Sequence, residues 1–93
     1  MRTIDAMTYQ QIADEVLEKM IGEYYSSSIF GDTYIFSASI ILYLSYEELG
    51  DGQTETHIDD AVPIWWEFHT YDEEGDEVPN DFKFSELKKY IQR

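Results

Sequence analysis

Ninety-three residues holding 20 acids, six Lys or Arg and no cysteine give a formal net charge of −14. Disulfide frameworks, thiolate metal sites and cysteine nucleophiles are excluded, and direct binding to nucleic acid or to an anionic membrane lacks the cationic footprint it needs. A content of 43% hydrophobic and 16% aromatic residues is nevertheless too apolar for a disordered chain, so one ordered domain over 1–93 is expected, burying about 60–65% of the surface its unfolded form exposes.

The opening MRTIDAMTYQ has no apolar stretch after its arginine, and the longest apolar run, Ile40 to Leu44, is far too short to span a bilayer. The expected location is cytoplasmic. Thr8-Tyr9-Gln10-Gln11 has the form of a capping box, which predicts a helix starting there. Tyr9, Ile12, Ala13, Val16, Leu17, Met20 and Tyr24 follow a three-and-four spacing with Gln10, Asp14, Glu15, Glu18 and Lys19 on the other side, the pattern of an amphipathic helix. Gly22 marks its end.

A short strand over about 25–30 leads to Gly31-Asp32, read as a two-residue hairpin turn. From Thr33 to Tyr46 the residues alternate. Tyr34, Phe36, Ala38, Ile40, Leu42, Leu44 and Tyr46 share one face, and Ser37, Ser39, Tyr43 and Ser45 share the other, with Ile35 and Ile41 as its apolar exceptions, as in a long strand buried on one side. EELGDGQTET at 47–56 reads as a polar loop. In the next strand, 62–71, counting in twos places Val62, Ile64, Trp66 and Phe68 in the core and Trp65, Glu67, His69 and Tyr71 outside. Pro63 cannot donate to a ladder, so this strand lies at an edge or bulges. Asp72 to Asp76 forms a charged turn before a brief strand at Glu77-Val78, and Ser85 caps a closing helix, Glu86 to Gln92, that turns Leu87, Tyr90 and Ile91 to the core. The fold class is therefore α+β: an N-terminal amphipathic helix packed on an antiparallel sheet of three to four strands, with a short C-terminal helix.

Thirteen of the twenty acids lie between Glu47 and Asp81, a segment with no Lys or Arg. Its acids do not match the spacing of a calcium loop, and the chain contains no G-x-S-x-G, Gly-rich phosphate loop or H-E-x-x-H. No catalytic residue and no cofactor is expected. Glu67 with His69, and His57 with Asp59, each set a carboxylate and an imidazole on one strand face. Such pairs can build a metal or acid–base site, although in so acidic a chain a histidine has carboxylate neighbours by chance.

The function expected from these features is a small, non-enzymatic interaction protein that binds a basic protein partner, with nucleic-acid mimicry as its sharpest form. Trp65 and Tyr71 are the expected anchors, and Asp72, Glu73, Glu74 and Asp76 the expected charges. The alternative is a small-ligand or divalent-metal site on the Trp65, Glu67, His69 face. A third reading is a homodimer joined through the edge strand that Pro63 implies.

Overall fold

The computed structural model describes residues 1–93. Its first helix, α1, spans Ala6–Lys19 and starts one turn earlier than the Thr8 box implies. Asp5 is the cap, its carboxylate accepting from the Thr8 backbone N–H at 2.8 Å, and the Thr8 side-chain hydroxyl, followed by that N–H, holds the Asp5 carboxyl below its ordinary pKa. An aspartate satisfies an orphan donor at a helix N-terminus as well as threonine does, and Ala6 and Met7 extend the helix to meet it. Tyr9, Ile12, Ala13 and Val16 form the buried stripe. Tyr24 is not its last member: the chain turns at Gly22, where φ is +61°, and Tyr24 opens the first strand.

Four antiparallel strands follow in sequence order: β1 Tyr24–Phe30, β2 Tyr34–Gly50, β3 Gln53–Tyr71 and β4 Glu77–Val78. The first hairpin closes through Gly31 N–H to the Tyr34 carbonyl at 2.8 Å, so Asp32 and Thr33 make the turn, one residue later than expected. Gly31 serves packing instead, because a Cβ there would lie 2.2 Å from the Tyr34 ring. The second hairpin overturns the loop expected at 47–56. Gly50, Asp51 and Gly52 all have positive φ and Gly50 pairs with Gln53, placing Asp51-Gly52 in a two-residue turn that suits the twist of the flanking strands. β2 and β3 thus run on as a two-stranded ribbon. The ribbon stretches the molecule to 55 × 22 × 19 Å, and its radius of gyration is 15.1 Å, against about 12 Å for a compact chain of this length.

α2, Phe84–Ile91, lies beside α1 against the inner face of the sheet. Ser85 is inside its first turn, and Lys83 occupies the cap position without a side-chain bond. Phe84, Leu87 and Ile91 are buried, and Tyr90 packs against the core from a half-buried position. Ahead of the helix, Phe82 joins the layers: its ring stacks on Phe68 at 4.1 Å and Tyr9 at 5.4 Å and meets Phe36 and Trp66 within 5.8 Å. The chain ends are tied into the sheet region. Arg2 exchanges backbone bonds with Pro79 and Asp81, and Arg93 exchanges two with Ile58.

The inner row of β3 differs from the period-two reading because two residues bulge. Trp65 pairs with Ser39 but Pro63 pairs with Ile40, leaving Ile64 over; Asp60 pairs with Tyr43 but Ile58 with Leu44, leaving Asp59 over. Each extra residue reverses the alternation beyond it. Phe68 keeps its core place, Ala61 and Ile58 join it, and Val62 and Ile64 are exposed. Trp66 faces Phe82 and Phe84 as expected, yet retains 39% exposure at the margin of the helical layer.

Two stability outcomes follow from this packing. Leu87→Ala should cost about 2–5 kcal/mol in urea unfolding, while Leu49→Ala, on the exposed ribbon, should stay within about 0.5 kcal/mol. Tyr25 is buried with its hydroxyl unpartnered. Because an unmade buried hydrogen bond costs about 1–3 kcal/mol, Tyr25→Phe should leave the urea midpoint unchanged or raise it.

Candidate interaction surface

Only one face of the sheet carries helices, and the strand register defines the other. Its successive rows, read across β1, β2 and β3, are Tyr24–Ile41–Val62, Ser26–Ser39–Trp65, Ser28–Ser37–Glu67 and Phe30–Ile35–His69. The serines pair across the strands, Ser26 with Ser39 at 2.8 Å and Ser28 with Ser37 at 2.7 Å, which fills the middle of the face with short satisfied hydroxyls. Trp65 is 48% exposed and stands beside this floor. The adjoining row adds to Ile41, which alternation already places outside, two apolar neighbours that alternation misses. Counting in twos puts Val62 in the core and helical spacing puts Tyr24 in the first helix; the bulge at Ile64 and the turn at Gly22 bring both to the outer face. Together with Ile41, and Tyr43 one row further on, they form an exposed apolar strip.

Tyr71 belongs to the same face, as expected, but lies six positions along β3 from Trp65, about 20 Å away at a strand's rise. The two aromatics therefore do not form one anchor. Tyr71 sits instead at the charged turn, its carbonyl accepting from the Arg2 guanidinium at 3.0 Å and its backbone paired with Glu77. Within that turn Asp72 has a structural task. One of its carboxylate oxygens accepts from the N–H groups of Glu74 and Asp76, at 2.9 and 3.0 Å, while Gly75 at φ +85° lets the chain reverse. Glu73, Glu74 and Asp76 make no salt bridge.

Each histidine stands between two carboxylates. His69 has Glu67 at 3.7 Å from Nε2, as the sequence suggests, and Glu77 at 3.3 Å from Nδ1. His57 meets Glu47 at 3.2 Å and Glu55 at 3.9 Å, whereas Asp59, its expected companion, accepts from Ser45. The Asp51-Gly52 turn was the signal for this second group, because closing the ribbon there sets Glu47 opposite Glu55. The donor atoms of Glu47, Glu55 and His57 come within 4.8 Å of one another, as do those of Asp72, Glu74 and Asp76. None of the concavities in the molecule is lined by Trp65, Glu67 or His69.

Charge is divided between the two layers. No Lys or Arg occurs between Lys19 and Lys83, so every strand lacks one, and the six cations sit on the helices, the α2 cap and the chain ends. Among the acids between those two lysines, Asp60 alone reaches a cation, Lys88 at 2.8 Å. The hydrogen bond from Lys88, followed by that from the Ala61 backbone, holds the Asp60 carboxyl below its ordinary pKa. A carboxylate depressed on folding contributes stability above its unfolded pKa and loses it as pH falls through the folded one. Asp60→Asn should therefore lower the urea midpoint at neutral pH and flatten its fall on acidification below about pH 4.

No protein-family model, curated protein or solved structure matches this chain. Its functional reading rests on the surface itself.

Proposed function

We propose that this is a non-enzymatic interaction protein whose open sheet face binds a basic protein partner. The observation that carries the reading is the division of charge: an exposed apolar strip of Tyr24, Ile41, Tyr43, Val62 and Trp65 lies on a sheet with no Lys or Arg, between the Glu47–Glu55 end and the Glu67–Glu77 end. A complementary partner presents apolar side chains ringed by Lys and Arg. Partly buried aromatic contacts would supply most of the affinity, and the surrounding carboxylates the speed and selectivity of encounter. Where the partner is itself a nucleic-acid-binding protein, these carboxylates take the place of phosphates, and duplex DNA should compete. A small-ligand or metal role for Trp65, Glu67 and His69 has less behind it, since no concavity adjoins them and both His69 nitrogens already face carboxylates.

The test is capture of partners from a lysate of the source cell on immobilised protein, washed at low and then high salt. Two variants accompany it: Trp65→Ala, and Glu73→Lys with Glu74→Lys and Asp76→Lys. Asp72 is left intact because it holds the turn. A discrete partner should elute with salt and be missing from the triple variant, and its affinity for Trp65→Ala should fall about 30-fold or more. Equal capture by wild type and both variants, with circular dichroism unchanged, would refute the assignment.

A further inference from the structure

The ribbon leaves one strand edge open. β1 bonds to β2 through the even-numbered residues, from Tyr34, whose carbonyl takes the Gly31 N–H, to Leu42, whose N–H reaches the Glu23 carbonyl at 2.8 Å. There β1 ends, because the chain folds back through the Ile21–Tyr24 turn towards α1. β2 continues to Gly50. In an antiparallel strand alternate residues direct both N–H and C=O to the same side, so Leu44, Tyr46 and Glu48 turn theirs to an edge with no neighbouring strand.

The one irregularity of this edge is the unpaired Leu49 beside the turn, whereas the far edge of β3 is defended along its length. Pro63, two bulges, the Arg93 bonds to Ile58 and the pairing of Thr70 with Val78 all interrupt it, and these are the usual means of blocking an added strand. Along β2 from Tyr43 to Glu48 there is no proline, glycine or lysine. The acids nearby are Glu47 and Glu48 on the strand, Asp51 at the tip and Glu55 opposite, with His57 between Glu47 and Glu55 the one basic side chain among them. A second copy of the chain would bring another −14 to this edge, whereas a cationic strand would be drawn to it.

We infer that the Tyr43–Glu48 edge of β2 receives an extended, Lys/Arg-bearing segment of the partner as an added strand. This rests on the basic-partner reading above and specifies how that partner is held. Backbone bonds to Leu44, Tyr46 and Glu48 provide the pairing, and cationic side chains opposite Glu47 and Glu48 select the occupant.

The experiment uses the whole chain and a capped peptide of about eight residues alternating Lys and Val, with its Glu–Val counterpart as control, read by amide hydrogen exchange in NMR at low and raised salt. On adding the Lys–Val peptide at low salt, the amides of Leu44, Tyr46 and Glu48 should slow about tenfold or more, while those of Ser45 and Glu47, already facing β3, change little. Tyr46→Pro removes an N–H aimed away from β3, a position that tolerates proline at an edge. With core amides still protected, it should weaken peptide binding about tenfold or more. Peptide binding centred on Trp65 or on residues 72–76, with the edge amides unmoved, would overturn strand addition and leave the acidic-surface reading standing. Absence of binding by the cationic peptide at low salt would overturn both. Protection of the same three amides that grows with protein concentration and needs no peptide would assign the edge to a second copy instead.

Discussion

The pairing of β2 with β3 is the constraint on which the rest of this molecule depends. Two strands of 17 and 19 residues share one ladder, and only part of its length lies under the helices. The covered part builds the core from one row of side chains; the remainder has no second layer and becomes the ribbon. Which residues enter the core is decided along this ladder, because each β3 bulge moves the residues beyond it to the opposite face. The Ile64 bulge in particular exchanges Val62 for Ala61 in the core and so puts an aliphatic side chain into the exposed strip that includes Trp65.

The helical layer does more than cover the inner face. Phe82 sits where α1, α2 and three sheet aromatics converge, so one ring links elements distant in sequence. The same layer holds the cations. Lys88 draws Asp60 toward α2, and Arg93 bonds both Asp14 and the Ile58 backbone. These contacts consume positive charge on the helical side. The sheet is left with its own carboxylates unneutralised except at Asp60, and the helical layer carries the cations that flank the acidic run from Glu47 to Asp81, so the folded molecule has two unlike faces.

Much of the architecture was legible along the chain. The three-and-four spacing from Tyr9 to Met20, the alternation from Tyr34 to Leu42 and the apolar positions of the closing helix each report a local periodicity, and local periodicity survives into the fold because it needs only one face to be buried. Beyond Leu42 the expected inner row runs out on to the uncovered ribbon, where Leu44 is half-buried and Tyr46 exposed. The caps were less secure: Asp5 displaced Thr8 since several residues near a helix start can accept the same N–H groups. Of the expected surface residues, Trp65, Glu67, His69 and Tyr71 do share the outer face. Asp72 does not stand with Glu73, Glu74 and Asp76 as a free charge, because its carboxylate is occupied by the turn.

By itself, then, the sequence determined the α+β class, the absence of thiol and disulfide chemistry, the excess of acid and the element order, all of which follow from composition and from patterns spanning a few residues. Tertiary structure decided what depends on pairing between distant segments. The ribbon required Asp51-Gly52 to bring Glu47 opposite Glu55; the exposed strip required a bulge beside Pro63; the open β2 edge required β1 to end at Tyr24 while its partner ran on to Gly50. Strand length and register are agreements between two chains of backbone, and neither strand states them alone.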